Sequence, residues 1–319
     1  MDPCDTVPNT PEPSYEDEQH ARAFAHLTPI SRAARLAFDS AVDAIKSDPD
    51  NFAHLRRNMH VEPDRQVSPS AASVFTDSDA TETEASSNEV IYRYKGAFHL
   101  KLGNPPRDPK KGWILGDGRN SAARQVDFLL SGPKKTAEIA GIHASIFIHE
   151  RSCRLVLGAR HKTTVHGSNG SGTSTTLSRT SYPAQLARED EIRIGECVYL
   201  FEYDEDAEGK EHEQKMASFM KKAHGDTWEG LLKILGSSPE AVSMRLNEYS
   251  WSLGAFASGS FGQVTAGTRR DGSAVAVKRF REPKEDFLSA HRRMMSYIGK
   301  HVSTTRLLSC PLIEGSLTS

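Results

Sequence analysis

The chain has 319 residues, enough for two modest domains with linkers. Its 40 lysines and arginines against 42 acidic residues, a formal net charge of -2, exclude the globally basic field that draws nucleic acid or a membrane surface. With 37% hydrophobic and only 8% aromatic residues, part of the chain is expected to be disordered, because it cannot bury enough surface to offset its ordering entropy.

Residues 1 to 88 read as mostly disordered around one short helix. The opening MDPCDTVPNTPEPSYEDEQ is acidic and proline-rich, without an apolar signal region. The helix is expected to open with Thr28 as N-cap and Pro29 in its first turn, with Ile30, Ala34, Ala37, Ala41 and Ile45 on one face. Beyond it, VSPSAASVFTDSDATETEASSNE has too few large apolar groups to fold, and Thr10, Thr28 and Ser68 precede prolines as candidate phosphosites.

From Glu89 the hydrophobic period becomes two. Phe98, Leu100 and Leu102 alternate with His99 and Lys101; Val126, Phe128 and Leu130 follow, then Ala144, Ile146 and Ile148, and last EIRIGECVYLFEY at 191 to 203. Gly- and Ser-rich joints such as HGSNGSGTSTT separate the runs, so an all-β sandwich is expected over 89–205. The spacing turns helical over 206–245, with Met216, Phe219 and Met220, then TWEGLLKILG and SSPEAVSMRL. This stretch reads as a helical linker whose Trp228, Leu231 and Leu235 could pack on a neighbouring domain.

Within the sandwich, GWILGDGR, VDFLL, GIHASIFI, LVLGARHKTTVHG and LAREDEIRIGECVYLFEY resemble, in order and spacing, a forkhead-associated (FHA) phosphothreonine-recognition domain over roughly residues 90 to 205. By that resemblance Arg119 binds phosphate and His143 braces the loops, while Arg160, His161, Lys162 and Thr163 form the second recognition loop. Phosphothreonine-containing proteins are then the expected partners, with no nucleic acid and no membrane. A phosphothreonine carries about -1.5 to -2 charges and three acceptor oxygens, which a guanidinium matches. The sequence departs from the family at Ala140, where the family has a phosphate-binding serine, and at His161–Lys162–Thr163, which replaces an Asn-Gly-Thr element. A shifted alignment would put Asn169 in the asparagine's place, and Lys134 and Lys135 add charge beside Ala140.

Residues 246–319 open with EYSWSLGAFASGSFGQVTAGTRRDGSAVAVKRF, which is similar to the start of a protein-kinase amino-terminal lobe: an antiparallel sheet with a glycine loop, a turn at Asp271 and Gly272, and one helix. The resemblance implies ATP as cofactor. Gly259 and Gly262 would let backbone amides approach its phosphates, Phe261 would cap the loop, Val264 and Ala276 would enclose the adenine, and Lys278 would pair with the α and β phosphates. Ala257 stands for the loop's first glycine, and His291 for the glutamate that should pair with the lysine. No H-R-D-x-x-x-x-N loop and no D-F-G motif occur in the 319 residues, so no catalytic residue and no metal ligand is assigned. The ending is expected to reflect truncation within the lobe.

The combined pattern resembles fungal FHA-domain serine/threonine kinases of the checkpoint type, though no Ser-Gln or Thr-Gln dipeptide occurs. It implies a signalling role, either as part of such a kinase or as a non-catalytic FHA adaptor with a vestigial kinase segment. Cys4, Cys153, Cys197 and Cys310 have no metal-ligand spacing and read as free thiols of a reducing compartment, nuclear or cytoplasmic.

Overall fold

The computed structural model describes residues 22–64, 92–119, 125–132, 138–167, 174–204, 207, 209–230, 244–246, 249–251, 257–259, 262–280 and 289. The chain divides into two compact units, residues 1–253 with 266–275, and residues 254–265 with 276–319. Among the described residues it is mostly β-sheet with three helices.

Two sheets of the first unit are built, among the described residues, from twelve strands, in chain order β1 (Ala25–Pro29), β2 (Met59–Pro63), β3 (Tyr94–Leu100), β4 (Trp113–Gly116), β5 (Phe128–Leu129), β6 (Ala144–Ile148), β7 (Leu155–Ala159), β8 (Thr163–His166), β9 (Ser174–Leu177), β10 (Ala184–Gln185), β11 (Asp190–Ile194) and β12 (Cys197–Tyr203). One sheet has the order β2-β3-β1-β12-β11-β8-β9, the other β10-β7-β6-β4-β5. All neighbours are antiparallel except the pair β4 and β5. The expected alternation is realised most cleanly in β12, where Cys197, Tyr199, Phe201 and Tyr203 are buried, and in β6, where Ala144, Ile146 and Ile148 are. These side chains meet Phe98, Trp113, Leu115 and Phe128 in one core, with the rings of Phe98 and Phe128 stacked at 5.5 Å.

Three expectations need correction. The sheet does not begin at residue 89, because β1 lies inside it between β3 and β12, with Leu27 opposite both Phe98 and Phe201. Thr28 is therefore a strand residue and not a helix cap. Pro29 is tolerated because it is the last residue of its strand, where a missing N–H costs least. Helix α1 (Arg32–Ser47) instead opens at Ser31, whose Oγ accepts hydrogen bonds from the Ala34 N–H at 3.1 Å and the Val198 N–H at 3.0 Å. Ala34, Ala37, Ala41 and Ile45 form the buried face as expected, whereas Ile30 precedes the helix.

Helix α2 (Pro49–Arg56) and β2 follow in what the sequence suggested was disordered chain. Asp39 of α1 is buried and accepts the Arg93 and Tyr94 N–H groups at 2.9 and 3.0 Å, tying the helix to the start of β3. The remaining disorder expectation, over 1–21 and 65–88, lies outside the described residues, as do Cys4 and Cys310.

The third correction concerns residues 206–245. Helix α3 (Lys210–His224) is part of the first unit's core and not a linker: Met216, Phe219 and Met220 are buried in it, and Phe219 stacks on Trp113 at 6.1 Å. Trp228 packs against the same core and donates its Nε1–H to the Glu150 carbonyl at 2.8 Å, while Leu231 and Leu235 lie outside the described residues. Also in the first unit, β13 (Met244–Leu246) pairs with β14 (Tyr249–Trp251), which pairs with Gly267–Arg269. The Gln185 N–H donates to the Arg270 carbonyl at 2.6 Å, and the Thr268 hydroxyl donates to Gln185 Oε1 at 2.6 Å.

Cys153 and Cys197 are free and buried, and burial pushes their thiols up to about 12 and about 11, so both are inert at neutral pH. No helix among the described residues is long and apolar enough to cross a membrane.

Candidate functional site

Three loops of the first unit converge on His143: the turn after β4, the stretch at 138–143 before β6, and the turn at 160–162 between β7 and β8. The turn after β4 is set by its own sequence. Gly118 adopts φ +65°, and Asp117 accepts the Arg119 N–H on Oδ1 at 3.0 Å, the local turn that Asp-Gly favours. Gly116 has no room for a side chain, because a Cβ there would lie 2.1 Å from the Gly141 carbonyl oxygen. That close approach lets the Asp117 and Gly118 N–H groups donate to the carbonyls of Ala140 and Gly141 at 3.1 and 3.3 Å.

His143 is the bridge between the other two loops. Its Nδ1 accepts the Ala140 N–H at 3.1 Å, which leaves the proton on Nε2 to donate to the Lys162 carbonyl at 3.2 Å. Its own carbonyl accepts the Arg160 and His161 N–H groups at 2.9 and 3.2 Å. Burial holds its imidazole below the usual pKa, so the neutral ring required by this bonding is the resident form at pH 7. Thr163 is fully buried and its hydroxyl donates to the His161 carbonyl at 3.0 Å. It shapes the turn from within, so it is a bracing residue and not an exposed contact.

Arg119 sits beside this frame with its side chain 32% exposed. Its Nε–H pairs with Asp117, which is only 6% exposed, and its Nη2 donates to the Ile139 carbonyl. The guanidinium is thereby held in one orientation, with its other N–H donors left for a ligand. Arg160, His161 and Lys162 are exposed on the adjoining turn. The arrangement gathers cations around a rigid backbone frame, which suits an anion with several acceptor oxygens. Asp117 was not singled out from the sequence, although the Asp-Gly dipeptide two residues before Arg119 was the available signal. Lys134, Lys135 and Asn169 lie outside the described residues.

In the second unit β15 (Ala257–Gly259) and the first half of β16 (Gly262–Arg269) form a hairpin, with Ala257 opposite Val264 and Gly259 opposite Gly262. β16 also pairs with β17 (Ala274–Phe280), reached through the expected turn at Asp271–Gly272, where Gly272 has φ +82°. Val264 is half-buried and Ala276 exposed. Lys278 falls within β17; its side chain, Phe261 and His291 lie outside what is described. Gly259 and Gly262 thus face each other at the end of the hairpin.

Titration of the histidines gives a prediction about stability. His54, His99, His143, His149 and His212 are all held below the ordinary imidazole pKa chiefly by burial, His99 to about 4. In each the unfolded chain binds the proton more readily. Their contribution is therefore complete above the unfolded value of about 6.5 and is lost as pH falls through the folded values. His26 is opposite: the Asp204 hydrogen bond raises it, so its contribution is present below about 6.5 and lost as pH rises through the raised value. The depressed group outweighs it. Urea unfolding is expected to show roughly 2 kcal/mol less stability at pH 4.5 than at pH 7.5, after allowing for solvent screening of the half-exposed rings. Unchanged stability across that range would contradict the buried neutral histidines.

The first unit is thus a sheet-rich protein with a braced, cation-bearing loop cluster. No family model matches the chain, and no curated protein matches it. Among solved structures it is similar to the crystal structure of Rad53 1–466 in complex with AMP-PNP, at 13% identity and a TM-score of 0.33, over 66% of this chain. The chain spans 46% of that one's length.

Proposed function

We propose that the first unit is a phosphothreonine-peptide-binding module of the FHA type, and that the protein acts in signalling by docking onto phosphorylated partner proteins. The observation that carries this reading is the orientation of Arg119: a partly exposed guanidinium, fixed by Asp117 and Ile139, beside loops that buried His143 locks together. A preset guanidinium loses little further freedom when it takes up a phosphate. Arg160 and Lys162 add positive charge beside it, so binding should weaken as salt rises.

ATP is the ligand proposed for the second unit, whose Gly259, Gly262, Val264, Ala276 and Lys278 fall on strands in the order a kinase lobe needs. The nucleotide would supply a transferable phosphoryl group. However, neither the H-R-D-x-x-x-x-N loop that orients the hydroxyl in a kinase nor its D-F-G magnesium motif occurs in the 319 residues. Radiolabel transfer from ATP to a general kinase substrate is expected to be no greater for this polypeptide than for its Lys278→Ala variant. Transfer above that control would show that the polypeptide catalyses phosphoryl transfer without those motifs.

A second reading, an adaptor that no longer reads phosphate, is favoured by one observation: Asp117 already neutralises Arg119, and Ala140 offers a methyl where a hydroxyl donor would serve. Ala140→Ser separates the two. If the cluster takes a phosphothreonine, the added donor is expected to tighten peptide binding by about tenfold or more, on the scale of one hydrogen bond to a charged group. An adaptor blind to phosphate would show no change in fluorescence-anisotropy titrations.

A further inference from the structure

A fourth connection, residues 178–183 between β9 and β10, lies at the same end of the sandwich as Arg119 and His143, and strand pairing fixes its place. Leu177, the last residue of β9, is opposite Thr163 of β8, and Ala184, the first of β10, is opposite Leu157 of β7. The connection therefore leaves and re-enters the sheets where the 160–162 turn joins β7 to β8, one strand further out in each sheet. Along that end of the second sheet the order is β4, β6, β7, β10. Arg119, just after β4, and Tyr182, just before β10, are thus separated by three strand spacings, roughly 14 Å.

The connection is held in shape by its own side chains. The Ser178 N–H donates to Ser181 Oγ and the Ser181 N–H to the Ser178 carbonyl, both at 3.1 Å. The Ser178 hydroxyl lies 3.0 Å from that of Ser181 and 3.3 Å from that of Thr180. Leu177 and Ala184 are buried and pin the two ends, and Pro183 restricts the backbone of Tyr182 to extended conformations. On this frame Tyr182 is 83% exposed, whereas the other exposed large apolar side chains among the described residues, Leu36 and Val61, reach only 42% and 36%. A single exposed apolar side chain is ordinary on a protein surface. Tyr182 is distinguished by a self-bonded loop that holds it out at the end where Arg119 stands. With two side-chain torsions, tyrosine offers a wide contact surface and loses little freedom on binding.

We propose that Tyr182 is a specificity-determining contact of the phosphopeptide site, its ring packing on a large apolar side chain of the bound peptide. The inference rests on the phosphothreonine reading, since Arg119 supplies the anchor from which the peptide reaches Tyr182. An extended peptide rises about 3.3 Å per residue, so a chain held by its phosphate at Arg119 and running over the 160–162 turn meets Tyr182 roughly four residues from the phosphothreonine. A leucine, isoleucine or phenylalanine at that place removes much of the Tyr182 ring from water, which an alanine cannot do and a charged residue does only by losing its own hydration. The partners selected are therefore phosphoproteins whose phosphothreonine has a large apolar residue at that distance on one side.

The test uses the full chain and a phosphothreonine peptide library in which each flanking position is varied in turn, read by fluorescence anisotropy. Wild type is expected to prefer leucine, isoleucine or phenylalanine over alanine by about tenfold at one position, roughly three to five residues from the phosphothreonine. In Tyr182→Ala that preference should shrink to about twofold or less, and in Tyr182→Phe it should persist, because the ring and not the hydroxyl makes the contact. Tyr182→Ala should melt with wild type, so that a lost preference reports a lost contact and not a damaged fold. If wild type binds no phosphopeptide, the phosphothreonine reading falls and this proposal with it. If phosphopeptides bind through Arg119 but with no apolar preference at such a position, or with one that Tyr182→Ala retains, the phosphothreonine reading stands and the Tyr182 contact is overturned.

Discussion

Replacing Trp113 by alanine is expected to lower the first unit's stability by about 3–5 kcal/mol, the range for truncating a large aromatic in a core. Trp113 is fully buried on β4, with Phe24 at 5.8 Å on one side and Phe219 of α3 stacked nearly parallel at 6.1 Å on the other. The truncation therefore opens a cavity between the sheet and α3 and removes two aromatic contacts. Trp113→Phe is the control. The indole N–H is buried without an acceptor, so phenylalanine forfeits no hydrogen bond and should cost less than about 1.5 kcal/mol. Urea unfolding followed by circular dichroism reads both values. A loss below about 1 kcal/mol for the alanine variant would mean that α3 is not docked on Trp113.

The second large effect is expected at His143. His143→Ala leaves the Ala140 N–H and the Lys162 carbonyl without the ring that satisfies both, and it opens a void among three loops. The combined cost should be about 2–4 kcal/mol. Function should suffer more than stability, because the loops flanking Arg119 lose their common brace. Phosphothreonine-peptide binding is expected to fall below detection while the sheets remain folded under native conditions. A variant of wild-type stability, or one that binds peptide undiminished, would show that His143 fills space without organising the site.

Much of the sandwich was legible because strands with one face in a core write a period of two into the sequence, as β6 and β12 do. The Asp271–Gly272 turn was legible for a similar reason: its geometry needs a positive φ that glycine supplies. β1 was hidden by local chemistry. Thr28-Pro29 imitates a helix start, and only pairing with Tyr199–Tyr203, some 170 residues away, makes it a strand. The helical spacing of Met216, Phe219 and Met220 announced a helix but not its partner, since an apolar stripe does not say which surface covers it.

The site divides the same way. Arg119 and His143 could be singled out by residue type and motif, whereas the restraint of Arg119 by Asp117 and Ile139 depends on loops that meet only in the fold. Lys101 was the most misleading position. In the pattern of β3 it continues an exposed alternation, but the strand ends at Leu100 and the chain turns the lysine inward.

The proposed docking function requires that Arg119 read phosphate. Calorimetric titration of the chain with a phosphothreonine peptide library and its unphosphorylated counterparts, repeated for Arg119→Ala, measures this directly. Binding is predicted for phosphorylated peptides only, and Arg119→Ala should weaken it by roughly 1.5–3 kcal/mol, on the scale of charge-assisted hydrogen bonds. Equal affinity for both sets of peptides, or undiminished phosphopeptide binding by Arg119→Ala, would contradict it.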